Sequence, residues 1–224
     1  MVGAHAGTVV VTSAREEVLA RLRAARDAGG SAVPEVPREY RRSGTAPAGS
    51  AEVVERLAET LTDYRATVHR VADEDGVSAA IASVLEDAGA TTFVAPPGLP
   101  ARWLAEVTAR VRPDEPPLSV ATLDGVDAVV TGAAVAIADT GTFVLDALAP
   151  DQGRRVITLV PDHHVCVVRA DAVVSSVPEA LARLDPAGPL TFVSGPSATS
   201  DIELDRVEGV HGPRRLDVIL VAPM

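Results

Sequence analysis

The pattern of hydrophobic and polar positions changes character halfway along the chain. In the first half, helix-type and strand-type apolar patterns alternate, and predicted helices begin after the capping residues Ser13 and Ser50. The other predicted elements of this half are strands at Ala66–Val71 and Thr92–Ala95 and helices at Val77–Ala88 and Ala101–Val111. Such alternation is typical of an α/β fold with parallel strand pairs.

After Leu123 the strand-type runs follow one another closely. The predicted strands are Asp127–Thr131, Ala134–Ala138, Phe143–Leu145, Val165–Arg169, Leu190–Ser194 and Leu216–Val221. One helix is predicted at Pro178–Leu184, and Arg154–Val160 fits either a helix or a strand. Together the two halves predict an α/β protein with a mixed sheet and helices on both faces.

The segment from Gly30 to Gly49 contains three prolines and no periodicity, so we expect an extended arm there. Such an arm is either a flexible surface loop or a cover for a site or a partner. The expected domain organisation is therefore an N-terminal helix and arm over residues 1–49, followed by one α/β domain over residues 50–224.

Composition narrows the classes of function. The formal net charge is −11 and the chain has one Trp, two Tyr and three Phe, which disfavours nucleic-acid binding. The absence of lysine excludes a Walker-type phosphate loop and a Schiff-base lysine. A single cysteine, Cys166, excludes an intramolecular disulfide and any Cys-rich iron–sulfur motif, and it fits a cytoplasmic location. We expect no signal peptide, and no membrane span because no uncharged run approaches about 20 residues.

A polar corner at residues 139–142 separates two of the predicted strands. It is short enough for a hairpin-like turn, and it offers a carboxylate, two hydroxyl groups and a glycine that lets backbone amides approach an anion. Asp139 is therefore a candidate catalytic residue, and Thr140, Gly141 and Thr142 are candidate anion-binding residues. The alternative is an ordinary turn in which Asp139 and Thr140 bond their own backbone.

A second polar corner, Asp162-His163-His164, precedes the strand that contains Cys166. Neighbouring side chains on a strand point to opposite faces, so at most one of the two histidines faces a given site. We take His163 as the candidate binding residue. The two histidines lack the i, i+4 spacing of a helical zinc motif, so no metal site is expected.

The third and fourth corners lie near the C-terminus. The stretch from Gly195 to Glu203 follows a strand and offers hydroxyl groups, amides and acids suited to a phosphate or a carboxylate. Its candidate binding residues are Gly195, Ser197, Thr199 and Asp201. The alternative is a helix cap at Ser200 or Asp201.

His211 lies between Gly209 and Gly212 in a tight loop, and it is the second candidate catalytic residue. A separate hypothesis is a metal-binding or regulatory module that combines His163 or His164 with His211 and an acid at position 201 or 203.

The four corners occur in a recognisable order. The stretches TGAAVAIADTGT, LVPDHHVCVV, SGPSATSDIE and GVHGPRRLDVILV resemble the LUD-domain family, in its short lactate-utilisation protein C branch. The resemblance runs from Ala51 to the C-terminus and implies the fold of the NagB/RpiA/CoA-transferase group. The family usually has Glu where this chain has Asp139, so the charge is kept on a shorter side chain.

The resemblance also implies a function. It implies an accessory subunit without iron–sulfur clusters in a cytoplasmic system that oxidises L-lactate to pyruvate. No cofactor is expected in this chain, and the clusters are expected on two partner proteins. The alternative is a free-standing enzyme that acts on a small carboxylate or phosphate ester in an isomerase/CoA-transferase-like pocket.

Overall fold

A computed structural model of the chain describes residues 13–29, 35–44, 46–199, 207–209 and 212–222. Two of the candidate residues, Asp201 and His211, lie outside these ranges. The chain divides into two compact units, Met1–Tyr40 and Arg41–Met224, which are described separately.

The first unit contains one described helix, α1, at Ala14–Ala28. Ser13 begins it as the sequence predicts: the Ser13 hydroxyl accepts a hydrogen bond from the Glu16 amide, and the Glu16 carboxylate accepts one from the Ser13 amide. No side chain of α1 is buried. The helix therefore depends on its own capping and on local ion pairs such as Arg21–Glu17.

The second unit contains the α/β fold. Its helices are α2 (Ala51–Asp63), α3 (Val77–Asp87), α4 (Val120–Asp124) and α5 (Val177–Leu181). Its strands are β1 (Thr67–Val71), β2 (Thr92–Ala95), β3 (Arg110–Pro113), β4 (Ala128–Thr131), β5 (Val135–Ile137), β6 (Thr142–Asp146), β7 (His163–Arg169), β8 (Val173–Val174), β9 (Leu190–Val193), β10 (Ala198–Thr199), β11 (Val207–Glu208) and β12 (Arg215–Val221). Among the described helices, none is both long enough and apolar enough to cross a lipid bilayer.

The larger sheet has six strands in the order β1-β12-β7-β4-β2-β3, and every pair in it is parallel. In its register, Arg215 of β12 lies beside His163 of β7, and Asp217 of β12 lies beside Thr67 of β1. The amino ends of β1, β7 and β12 therefore meet at one edge of the sheet, and their carboxyl ends meet at the opposite edge.

Apolar layers cover both faces of the parallel sheet. On one face, α3 and the buried Trp103 pack against side chains such as Phe93 and Val165. On the other face, α2 and the smaller sheet pack against side chains such as Cys166 and Val218. The helix α2 buries the apolar stripe that its sequence predicts, at Val53, Val54, Leu57 and Leu61. Ser50 precedes α2, but its side chain makes no capping hydrogen bond.

The smaller sheet has four strands in the order β8-β5-β6-β9 and mixes parallel and antiparallel pairs. The predicted hairpin around residues 139–142 is its centre, because β5 and β6 are antiparallel and lie between the two outer strands. The α/β class is confirmed. The structure adds that the described strands are divided among separate sheets, one of which is the short pair formed by β10 and β11.

One predicted helix is wrong. The segment Ala101–Val111 forms a 3₁₀ turn at Ala101–Leu104 and then enters β3 at Arg110. Tertiary contacts explain the difference, because Trp103 is buried against the sheet and β3 pairs with β2. These contacts outweigh the weak local preference of the segment for a helix. The ambiguous segment around Arg154–Val160 forms a 3₁₀ turn at Arg155–Thr158.

Candidate functional site

Three hydroxyl groups form a chain at the turn between β5 and β6. The Thr140 hydroxyl donates to the Thr142 hydroxyl over 2.8 Å, and the Thr142 and Ser194 hydroxyls lie 2.7 Å apart. Ser194 follows β9, the strand that pairs with β6, so the sheet itself brings this hydroxyl to the turn. Thr140 and Thr142 therefore lie together as the sequence suggests, and Ser194 is a member that sequence reasoning missed.

Gly141 shapes this turn. Its φ of +57° is in the left-handed region, and a Cβ at this position would lie 2.9 Å from the carbonyl group of Thr60 in α2. The Thr60 hydroxyl also donates to the Ala138 carbonyl over 2.9 Å. The turn is thus held tightly against α2.

Asp139 lies in the 3₁₀ turn Ala138–Thr140 and is exposed. Its amide donates to the Ser175 carbonyl over 3.0 Å, which fixes the backbone. Its carboxylate forms no hydrogen bond or ion pair with the described part of the chain. The carboxylate is therefore available to solvent, a ligand or a partner.

The loop after β9 joins the loop before β12. Gly195 has a φ of +85° and packs against Tyr64, at the end of α2. The Ser197 amide donates to the Pro213 carbonyl over 2.8 Å, and the Ser197 carbonyl accepts from the Gly209 amide over 2.9 Å. The third and fourth polar corners of the sequence therefore meet at Ser197. Thr199 belongs to β10, where it pairs with Val207.

The two neighbouring histidines face different surroundings. The Thr131 hydroxyl and Nε2 of His164 lie 2.8 Å apart in the core, and burial lowers the pKa of His164 to about 3. His163 instead bonds Asp217 of β12, with 2.8 Å between Nε2 and Oδ2. This division agrees with the strand alternation that the sequence predicts.

Asp217 is the centre of a charged cluster that sequence reasoning did not find. Its side chain is fully buried, and its oxygens accept hydrogen bonds from His69 at 2.7 Å, His163 at 2.8 Å and Arg215 at 2.8 Å. Burial disfavours the charge of Asp217, but these hydrogen bonds outweigh that cost and hold the pKa of the carboxyl well below its usual range. The sequence does contain an indication of this cluster, because Asp217 is an acid inside a run of strand-type apolar residues.

The clustered residues share one edge of the parallel sheet. His69, His163 and Asp217 lie at or near the amino ends of β1, β7 and β12, and the loop containing Ser197 and Pro213 leads directly into β12. An ion pair between Arg214 and both carboxylate oxygens of Asp162 lies at the same edge. Hydrogen bonds from Arg214 lower the pKa of Asp162.

A cavity of about 840 Å³ lies at the opposite edge, beyond the carboxyl ends of β1, β7 and β12. Its charged lining residues are Asp73, Glu74, Asp75, Arg169 and Asp171. None of the candidate residues from the sequence lines it. The carboxyl ends of parallel strands are the usual ligand position in open α/β sheets, but the described parts of the second, third and fourth polar corners lie at the other end.

The described residues contain no group of three or more His, Cys, Asp or Glu side chains arranged to hold a metal ion. The hypothesis of a metal-binding module used His211 and acids at 201 or 203, which lie outside those residues. Cys166 is buried in β7, and burial raises the pKa of its thiol above the usual range. The thiol therefore remains protonated and is a poor ligand.

The fold and the sequence together define a class of protein. The sequence model of the LUD domain matches residues 120–221, which span the hairpin, β7 and β12. A crystal structure of a DUF162 family protein from Deinococcus radiodurans superimposes with a TM-score of 0.65 and 44% sequence identity, covering 76% of this chain and 97% of that one.

Curated relatives place the chain more narrowly. It is 50% identical over 180 residues to "Lactate utilization protein C" of Deinococcus radiodurans, a match that covers 79% of this chain and 82% of the relative. An uncharacterized protein of Neisseria meningitidis is 27% identical and covers 94% of both chains. "Lactate utilization protein C" of Bacillus subtilis is 34% identical over 42% of this chain and 41% of the relative. The chain belongs to the LUD-domain family, and its relatives include proteins named lactate utilization protein C.

Proposed function

We propose that this chain acts in lactate utilization, as the subunit without iron–sulfur clusters of a cytoplasmic system that oxidises L-lactate to pyruvate. The observation that carries the proposal is the 50% identity, over most of both chains, to a protein named lactate utilization protein C. The electron-transferring clusters would then reside on two partner proteins.

The cysteine chemistry of the chain supports this division of work. One cysteine cannot supply the four thiolates that an iron–sulfur cluster usually needs, and Cys166 is buried with a raised pKa. A subunit of this kind would contribute binding or assembly.

The test is deletion of the gene from its host. We expect the deletion strain to grow normally on glucose and on pyruvate, and to grow poorly or not at all on L-lactate. A plasmid copy should restore growth on L-lactate, and so should a Cys166→Ser copy, because the thiol binds no cluster. Normal growth of the deletion strain on L-lactate would refute the proposal.

The carboxylate of Asp139 is exposed and has no partner among the described residues, which favours a second candidate, a free-standing enzyme that acts on a small carboxylate or phosphate ester. In that case Asp139 would act as the base or nucleophile beside the hydroxyl group of Thr140. Restoration of growth by Asp139→Glu but not by Asp139→Asn would support a role for the charge. Full restoration by Asp139→Asn would exclude Asp139 as the base or nucleophile.

A further inference from the structure

The strand β9 leaves one edge of the smaller sheet open. It is the last strand in the order β8-β5-β6-β9, and no strand lies beside its outer edge in the described part of the chain. The Ala147 amide donates to the Pro189 carbonyl, and main-chain groups alternate in direction along an antiparallel pair. The amide and carbonyl groups of Leu190 and Phe192 therefore point away from β6. They have no backbone partner among the described residues.

This edge lacks the features that normally protect an outer strand. Proteins prevent outer strands from pairing with other chains by placing charges or prolines in them, or by keeping them very short. The other outer strands of the six-stranded and four-stranded sheets follow this rule: β1 contains Arg70, β3 contains two arginines and Pro113, and β8 is two residues long. In contrast, β9 has four residues with no charge and no proline, and residues 186–199 contain no charged side chain.

Exposed apolar side chains accompany the open main-chain groups. Phe192 is 48% exposed, although Val144, its neighbour in the register, is fully buried. Leu190 lies on the same face of the sheet as Phe192, because side chains two positions apart on a strand share a face. Leu148 is 71% exposed and lies beside Gly188, just before β9. Apolar surface next to an open strand edge indicates a place where another strand binds.

Charge and symmetry favour a second copy of this chain as the occupant. Two copies with a net charge of −11 repel each other, and they approach at least cost where the chain carries no charge, as in residues 186–199. A basic partner would instead be drawn to the acidic surfaces.

An outer strand that pairs antiparallel with its own copy is also self-complementary. If the two-fold axis passes through Thr191, Leu190 lies opposite Phe192 of the second copy. The outward amide and carbonyl groups of both residues then all find partners. On one face of the joined sheet, Phe192 packs against Leu190 of the second copy, and on the other face the two Thr191 side chains meet.

We propose that two copies of this chain form a dimer through β9, with the two-fold axis at Thr191, so that their four-stranded sheets become one continuous sheet. The dimer covers Phe192 and closes the open edge. This interface goes beyond the proposed function and does not depend on it.

Sedimentation equilibrium of the full chain tests the dimer and the position of its axis. The wild type should show a reversible equilibrium between monomer and dimer. Thr191→Asp and Thr191→Arg each place two like charges opposite each other on the axis, so each should weaken dimerisation by about tenfold or more. An equimolar mixture of the two variants should restore the dimer, because opposite charges then face each other. The control is Val111→Asp, at an exposed position of the outer strand β3, which should dimerise like the wild type.

Amide hydrogen exchange of the wild-type chain tests the same pairing without a variant. The amides of Leu190 and Phe192 should be protected in the dimer and should lose that protection when dilution produces the monomer. The amides of Thr191 and Val193 point toward β6 and should remain protected at both concentrations. This internal control separates the opening of the dimer from the unfolding of β9.

Several results would overturn the proposal. A chain that remains monomeric at every concentration has no such interface. A dimer in which the amides of Leu190 and Phe192 exchange as fast as in the monomer is formed elsewhere on the surface. Protection of these amides in the monomer would show that the same chain covers its own edge. Unchanged dimerisation of folded Thr191→Asp protein would exclude the axis at Thr191. The growth of the deletion strain on L-lactate bears on none of these results, so the two proposals are tested separately.

Discussion

At the scale of single residues, Asp217 and His164 show two ways of placing a polar group in an apolar sheet. Asp217 keeps its charge because three donors surround it. His164 instead remains neutral, with the Thr131 hydroxyl as its partner. The sequence identifies both as polar residues within strand-type runs. It could not identify their partners, because His69 and Asp217 are 148 positions apart and meet only through the pairing of β1 with β12.

The neutral state of His164 predicts a loss of stability in mild acid. Its pKa is 6.5 in an unfolded chain and about 3 in the folded one, so below about pH 6.5 the unfolded chain binds a proton that the folded chain does not. Stability is therefore lost as the pH falls from about 6.5 toward 3. Between pH 7 and pH 5, this histidine should lower the free energy of unfolding by about 2 kcal/mol.

Urea unfolding at the two pH values checks this prediction. His164→Gln can keep a hydrogen bond to Thr131 but does not titrate, so it should lose about 2 kcal/mol less than the wild type over this interval. An equal loss in both proteins would show that His164 does not carry the effect.

At the scale of elements, the hairpin of β5 and β6 was predictable and its contact with α2 was not. Two apolar runs around a short polar corner predict an antiparallel pair, and the structure confirms it. The position of Gly141 against Thr60 depends on how α2 packs over the smaller sheet, which no local pattern encodes. The helix predicted at Ala101–Val111 is wrong for a related reason, since pairing with β2 decides that segment.

Substitution of two glycines tests how tightly the hairpin is held. Gly89→Ala adds a methyl group at a φ of +66° with nothing within 4 Å, so it should cost only the backbone strain, about 1 kcal/mol. Gly141→Ala has a similar φ but places its Cβ 2.9 Å from Thr60. We expect about 2 kcal/mol of additional destabilisation in urea unfolding, because α2 and the turn must separate. Equal destabilisation of the two variants would argue against a tight contact.

At the scale of the whole molecule, the apolar core belongs to the second unit. The apolar clusters of the described residues are formed by residues after position 41, whereas α1 of the first unit buries no side chain. The sequence predicts a helix and arm ahead of an α/β domain, with a boundary at residue 49. The compact unit of the structure begins at Arg41, and the domain assignment remains a prediction.

Removal of residues 1–40 should therefore leave the stability of the rest almost unchanged. We expect a single cooperative transition in calorimetry with a melting temperature within about 2 °C of the full chain, because α1, the described helix of the first unit, buries no side chain of its own. A melting temperature lower by 5 °C or more would mean that the N-terminal unit contributes to the core.

The spacing of apolar residues, together with local capping and turn residues, was enough to predict the α/β class, most of the strands, the capped start of α1 and the hairpin at residues 139–142. These features follow from interactions between residues close in sequence and from the burial of regular apolar faces. Beyond that hairpin, the pairing of the strands depends on the tertiary structure, because it joins segments that are far apart in the sequence. It joined Ser194 to Thr142 and Ser197 to Pro213, and it surrounded Asp217 with His69, His163 and Arg215 at one edge of the sheet.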